Sequence, residues 1–313
     1  MSLAFATKPA LLNISSLERA ILETLAYSDV FDYPLTLDEL HRFLTFPATV
    51  AEIQECMLGM KNIAFANGYY FLAGRSEIVD IRKQREENSR KAFRRAMFYG
   101  RILGRLPFIR MVALTGSLAM LNLSKNRDMD YMLVAKPGRV WTARAFALLL
   151  ARVTRLFGDV ICPNVIVSEN ALEWKVRNLY TAHEFAQMIS ISGEGVFYRL
   201  RVVNKWVEDV LPNINTGSTT LDSRSLLREK FQYIVELPLR GKLGNLFEVW
   251  EMDRKIARFK KQAGYGAETN FSVDVCQGNF DHHGSWTLKA YEERLRTLSH
   301  WEREGGVLSQ SKQ

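Results

Sequence analysis

Apolar residues recur at helical spacing through the first sixty positions. Leu17, Ile21, Leu22 and Leu25 follow Ser15-Ser16 and share one helical face. Phe31-Asp32-Tyr33-Pro34 ends that helix, because proline disfavours helical backbone at the residue before it. Thr36 with Glu39, and Thr49 with Glu52, read as capping boxes. In each, the Thr hydroxyl accepts from a backbone amide of the first turn and the Glu reaches back to the cap. Leu37, Leu40, Phe43 and Leu44 give the second helix its apolar face, and Ile53, Met57 and Met60 serve the third. Ile63 to Leu72 then carries β-prone residues on both sides of Asn67-Gly68, the dipeptide that most favours a two-residue hairpin.

Three short helices and a hairpin form the order of a winged helix, so residues 1–75 are read as a winged-helix-like domain. Residues 75–110 predict one or two helices, dense in cations: Arg82, Lys83, Arg85, Arg90, Lys91, Arg94, Arg95, Arg101, Arg105 and Arg110. Two readings stand for them, a solvated helical face and a basic wall beside a phosphate site. Further on, the pattern predicts helices over Leu172–Met188 and Gly195–Leu211, the second ended by Pro212. A polar linker occupies 213–222. Helical periodicity resumes over 223–263, a loop carries Gly264 and Gly266, and a last helix runs from Ser285 to about Trp301 before a frayed tail.

Composition narrows the class. The chain has 313 residues, 47% hydrophobic and 24% charged, which is ordinary for a globular protein. That excludes a disordered chain, a collagen-like fibre and a disulfide scaffold. Apolar runs such as Ala145–Ala151 fall far short of the roughly 20 residues that span a bilayer. The N-terminal MSLAFATKPALLN has no basic leader, long apolar stretch or clean cleavage site, so a cytoplasmic location is expected and no membrane partner. Cys56, Cys162 and Cys276 lie far apart with no CxxC pair, which fits buried thiols in a reducing compartment. The net charge of +8 hints at an anionic partner. Duplex DNA is not expected through the winged helix. Its third helix offers Glu52, Gln54 and Glu55, and carboxylates there repel the phosphate backbone.

The chemistry concentrates between residues 110 and 135. Met111–Leu114 predicts a buried strand; Gly116-Ser117 follows at once, and Leu118-Ala119-Met120 looks like a helix start. A strand passing through Gly-Ser into a helix leaves free amides and a hydroxyl facing outward, an arrangement suited to phosphate. Asp128-Met129-Asp130 then begins a second strand, Tyr131-Met-Leu-Val-Ala135. Strand residues i and i+2 share a face, so Asp128 and Asp130 project together. Paired carboxylates with substrate phosphates are the ligand set that Mg²⁺ prefers.

Thr115-Gly116-Ser117, a ten-residue gap and Asp128-Met129-Asp130-Tyr131 resemble the signature of the DNA polymerase beta superfamily of nucleotidyltransferases. This likeness covers about residues 105–170. More narrowly, the chain resembles an uncharacterised prokaryotic branch with a Phe-Asp-Tyr-Pro-Leu-Thr segment, here Phe31–Thr36, and that likeness extends through the N-terminal domain and the helical C-terminal part. The resemblance implies that Asp128 and Asp130 hold two Mg²⁺ ions and that Gly116 and Ser117 grip the nucleotide phosphates. It further implies that an acceptor hydroxyl attacks the α-phosphate of a nucleoside triphosphate, releasing pyrophosphate.

Members of the superfamily usually add a third carboxylate from a neighbouring strand. The candidate strand, Val160–Val167, has Asn164 at its middle polar position, with Asp159 at its start and Glu169 beyond its end. An amide ligates Mg²⁺ through its carbonyl but takes no proton at neutral pH. Either Asp159 bends in, or the activity is weak, or nucleotide binds without turnover. Pro163 argues for an edge position or a bulge. Cys276, Asp281, His282 and His283 crowd one segment, but their spacing matches no zinc pattern. A loop capping the last helix, with Ser285 as its N-cap, is the expected reading; reach into the nucleotidyltransferase cleft is the alternative. His183 reads as structural.

The expected fold class is therefore α+β: a small mixed-sheet core over 76–170 with basic helices before it, a helical extension over 171–212 and a helical region over 223–313. The expected function is Mg²⁺-dependent transfer of a nucleoside monophosphate from a triphosphate to an acceptor hydroxyl on a small molecule, a protein or RNA. The rival is a non-catalytic regulator that binds nucleotide or nucleic acid through a degenerate core.

Overall fold

The computed structural model describes residues 15–124, 128–214, 232–266 and 268–303. The N-terminal segment 1–14, most of the 213–222 linker, the start of the 223–263 region and the tail lie outside them. The protein is a mixed α+β structure that divides into two compact units. Among the described residues no helix is long and apolar enough to cross a membrane.

The first unit gathers described residues of 1–84, 207–215 and 284–313. It begins with α1 (Ser16–Asp29), α2 (Leu37–Phe43) and α3 (Val50–Met57), each opened by a complete capping box, on Ser15, Thr36 and Thr49 respectively. Strands β1 (Ile63–Ala66) and β2 (Tyr69–Leu72) pair antiparallel. Asn67 and Gly68 between them both take positive φ, 53° and 87°, the geometry of a type I′ turn. Arg82 ties this unit together. Its guanidinium donates to both Glu39 carboxylate oxygens and lies over the Tyr33 and Tyr69 rings. The last helix, α11 (His283–Arg303), sends Arg294 to Asp29, which also accepts from Arg75.

The second unit holds described residues of 85–206 and 216–283. This grouping differs from the segments drawn on sequence, since most of the last helix joins the N-terminal elements. The basic stretch after residue 75 is one helix, α4 (Glu77–Leu103). Then come β3 (Ile109–Thr115), the single turn α5 (Gly116–Ala119), β4 (Asp128–Ala135), α6 (Val140–Arg155) and β5 (Val160–Ser168). The expected 172–188 helix is shorter, α7 (Leu179–Gln187), and runs directly into a strand, β6 (Ile189–Ser192). The second expected helix divides into α8 (Glu194–Val203) and α9 (Trp206–Val210). Pro238 lies in a 3₁₀ turn over Leu237–Leu239 that precedes α10 (Lys242–Phe259).

The segment around Cys276, read as a loop, is instead a hairpin of β7 (Thr269–Phe271) and β8 (Val275–Gly278). The helix that follows opens at His283 rather than at a Ser285 cap. Among the described residues six strands form one sheet in the order β6-β3-β4-β5-β8-β7. Only β4 and β5 are parallel, and α6 is their crossover.

One face of the sheet carries the core. Val112 and Leu114 of β3 and Met129, Tyr131 and Leu133 of β4 are buried there with Ala92, Ala96 and Leu103 of α4 and Trp141, Ala143 and Ala147 of α6. Strand parity turns Asp128 and Asp130 to the opposite face. Two buried glutamates from the C-terminal segment fasten this unit. Glu236 accepts from the Phe108 amide and from Arg110 and Arg240. Glu248 of α10 accepts from the Trp141 and Thr142 amides and the Thr142 hydroxyl, and so caps the N-terminus of α6.

Candidate functional site

The site forms where β3 ends and β4 begins. Thr115 lies opposite Asp130 in the antiparallel register, and the next residue, Gly116, turns the chain at φ 67°. A side chain is excluded at Gly116 for a second reason: a Cβ there would stand 2.6 Å from the Asp130 carboxylate oxygen. Gly116 thus lets the carboxylate lie against the turn. Ser117 is exposed on the turn. Its carbonyl accepts from the Asn122 amide, which closes the loop behind it.

Strand β5 contributes through an irregularity. Tyr131 faces Pro163 and Met132 faces Val165, so Asn164 is an extra residue at a bulge. Its amide nitrogen donates to Asp130 Oδ1 at 2.6 Å. Asn164 therefore does occupy the position beside the aspartates, at a bulge in an interior strand of the sheet.

Asp159 does not join them, and the expectation that it bends in is corrected. It is buried among groups from α4, accepting from the Tyr99 hydroxyl at 2.8 Å and pairing with Arg95 at 2.9 Å. Immediately before β5, it belongs with α4 on the core side of the sheet.

Another acid whose titration responds to Asp130 lies on a different element. Glu184 lies on α7, which packs against α5. Burial pushes its carboxyl up to about 7, and the charge of Asp130 adds to the shift. Asp130 itself is pushed up to about 6 by burial and by Asp128, with Asn164 and His283 acting in the opposite direction. Tyr180, one turn before Glu184, is raised by burial and by the charges of Glu184, Glu268 and Asp130. The thiol of Cys162, opposite Asp130, rises to about 11 through burial and both aspartates. Tyr180, Glu184 and Cys162 all feel the charge of Asp130, and Arg155 opposes it at Cys162. His183, the other side of α7, is buried and held neutral, pushed down to about 3.

Glu184 left no trace in the strand pattern, because the expected partner was sought on a neighbouring strand. In the helix pattern Glu184 falls opposite the apolar face of Ala182, Phe185 and Ala186, where an acid reads as solvated. From the Cys276–His283 segment, Cys276 is buried in the sheet, whereas His283 lies close enough for Asp130 to feel its charge.

Among the described residues no group of three or more His, Cys, Asp or Glu side chains is arranged to hold a metal ion. Asp128 and Asp130 on one face make the smaller set that Mg²⁺ completes with phosphate oxygens and water. The raised carboxyls are a chemical fit to that ion: mutually repelling carboxylates gain most from a cation between them. No family model matches the chain, and neither a curated protein nor a solved structure matches it.

Proposed function

We propose that this site transfers a nucleoside monophosphate from a nucleoside triphosphate to an acceptor hydroxyl, with Mg²⁺. The observation that carries the reading is the pairing of Asp128 and Asp130 on one sheet face at the Gly116 turn. In this reading Asp128 and Asp130 hold the metal, and Gly116 and Ser117 present the turn's amides and hydroxyl to the phosphates. Bound Mg²⁺ would supply positive charge to the phosphate oxygens and acidify the attacking hydroxyl. Glu184 takes the proton that the acceptor hydroxyl gives up as its oxygen bonds the α-phosphorus and the bond to pyrophosphate breaks. Asn164 holds Asp130 in place through its amide and stays out of proton transfer. The helix–hairpin order of residues 15–72 supports the winged-helix reading of the first unit, whose acidic third helix argues against duplex DNA there.

The non-catalytic alternative draws on Asn164, which leaves β5 without a carboxylate at the aspartate pair. Glu184 favours the enzyme, because it supplies the proton acceptor that Asn164 lacks. The test is calorimetry with ATP, GTP, CTP and UTP, each with and without Mg²⁺, on the wild type, Asp128→Ala/Asp130→Ala and Glu184→Gln. The enzyme reading expects Mg²⁺-dependent binding that the double variant loses and Glu184→Gln keeps. It also expects release of pyrophosphate, with any acceptor found, to fall at least a hundredfold in Glu184→Gln. No binding of any of the four by folded protein would overturn it.

A further inference from the structure

The cations of the second unit are sorted by position. From Arg90 to Arg105, α4 and its exit contain six Arg and Lys residues and no acid. From Val140 to Gly158, α6 and its exit again contain only arginines as charged residues. Among these, Arg90 is used by Glu86, Arg95 by Asp159, and Arg144 turns inward over the Phe259 ring. Lys91, Arg94, Arg101 and Arg105 are exposed, and among the described residues none of them forms a hydrogen bond or ion pair. Lys91, Arg94 and Arg101 recur at intervals of three and seven, which keeps them on one side of the helix, and Arg105 lies in the turn just beyond it. Phe98 lies in the middle of that row and is 58% exposed. From Lys91 to Arg101 the row covers about 15 Å.

The turn after α6 adds a second element of the same chemistry. Arg155 is exposed, followed by Leu156 and Phe157 at 84% and 73% exposure. This turn is joined to α4 by Asp159, which binds Arg95 and Tyr99 along one flank of the Phe98 row. It also sits at the aspartate end of the sheet, because Val160 is the register partner of Asp128. The start of the row reaches that end too: the Leu123 amide, in the loop between α5 and β4, donates to Ser89 of α4. The row therefore starts at the aspartate end of the sheet and runs along the outside of α4, on the sheet face opposite the aspartate pair.

From this we infer that the outer face of α4 and the Arg155–Phe157 turn bind a single-stranded polynucleotide and lead its end to the aspartate site. Lys91, Arg94, Arg101 and Arg105 meet successive phosphates, and Phe98 and Phe157 offer faces on which unpaired bases stack. Aromatic platforms between free cations are the combination that single strands require and that a paired duplex cannot use. The assignment of that strand as the acceptor rests on the nucleotidyl-transfer reading; the binding itself does not.

The test is fluorescence anisotropy of labelled single-stranded RNA and DNA oligonucleotides of about a dozen residues, with the matching duplex as competitor and salt varied. Wild type is compared with Arg94→Glu/Arg101→Glu, Phe98→Ala and Asp128→Ala/Asp130→Ala, all checked for fold by circular dichroism. The charge reversals should weaken binding at least tenfold and flatten its salt dependence by about 0.7 for each phosphate no longer neutralised. Phe98→Ala should weaken it about tenfold with the salt dependence unchanged. The aspartate variant should bind the strand no more weakly than wild type, since it removes two negative charges from the end that the strand approaches. Strand binding without any nucleoside triphosphate binding would leave this surface standing and remove its role as acceptor site. The inference is overturned if neither oligonucleotide binds at low salt, if the duplex competes as well as the strand, or if the Arg94/Arg101 and Phe98 variants bind like wild type. Binding to phosphatidylserine–phosphatidylcholine vesicles in place of oligonucleotides would overturn it in favour of a membrane surface.

Discussion

Replacing Glu184 by Gln should make the metal-free protein more stable above neutral pH and leave it unchanged in acid. The sign follows from the direction of the shift. Glu184 titrates near 4.5 when unfolded and near 7 when folded, so between those values the folded state binds the extra proton. The folded state is then favoured below about pH 4.5 and loses that advantage as pH rises through 7. At about 1.4 kcal/mol per tenfold, the full displacement corresponds to about 3 kcal/mol, and partial solvent access at the rim reduces it to about 1–2. The groups facing Glu184 are Asp130 and Tyr180, with Glu268 acting on Tyr180 and Asp128 and His283 on Asp130. His183 on the same helix stays neutral throughout this range. Urea unfolding in EDTA at intervals from pH 5 to 8 reads the wild-type-minus-variant difference, which removes titrations common to both. The difference should be about a quarter of its full size at pH 5 and reach about 1–2 kcal/mol in favour of Glu184→Gln at pH 8. Asp130→Asn should show the same trend, and the double variant should gain less than the sum, because the two acids oppose each other. A difference that stays flat with pH, or favours wild type at pH 8, would refute the placement of Glu184 beside Asp130.

Gly116→Ala should destabilise the protein by about 1–2 kcal/mol from the positive φ alone, and should abolish Mg²⁺-nucleotide binding by displacing Asp130; thermal unfolding and calorimetry read the two effects separately. Glu248→Ala strips three donors at the start of α6 of their acceptor and should cost about 3 kcal/mol in urea unfolding, with nucleotide binding retained in the folded fraction. Asp159→Asn weakens the Arg95 ion pair and should lower stability by about 1–3 kcal/mol while leaving Mg²⁺-nucleotide affinity within twofold. A larger loss of that affinity would return Asp159 to the site.

Local signals in the chain were legible where a few adjacent residues decide the geometry. The capping boxes on Thr36 and Thr49 and the Asn67-Gly68 turn are of this kind, as are the strands on either side of Gly116-Ser117. Strand β6 was missed because Ile-Ser-Ile-Ser follows α7 with no Gly or Pro between them, so helical periodicity was carried to Met188. Strand β8 was missed because Val-Cys-Gln-Gly is short and set among Gly, Asn and Asp, and its pairing with β5 and β7 makes it a strand. The aspartate pair was legible from the period of two. Glu184 was not, because its position depends on α7 packing against α5, which no local pattern records. Asp159 misled for the converse reason: nearness in sequence to β5 did not reveal that Arg95 and Tyr99 hold it on the far side of the sheet.

The order of strands across the sheet has a consequence for synthesis. Val165, Ile166 and Val167 of β5 find their partners in Val275–Gln277, far later in the chain. At about 5–20 residues per second, that part of β5 leaves the ribosome on the order of ten seconds before β8 does. Through that interval Val-Ile-Val presents an unpaired apolar edge, the kind of segment that recruits other nascent chains. The fold of the second unit thus depends on its last strands arriving before a neighbour's edge does. Expression at lower temperature, or with chaperones that shield strand edges, should raise the yield of folded protein more than any change confined to the N-terminal unit.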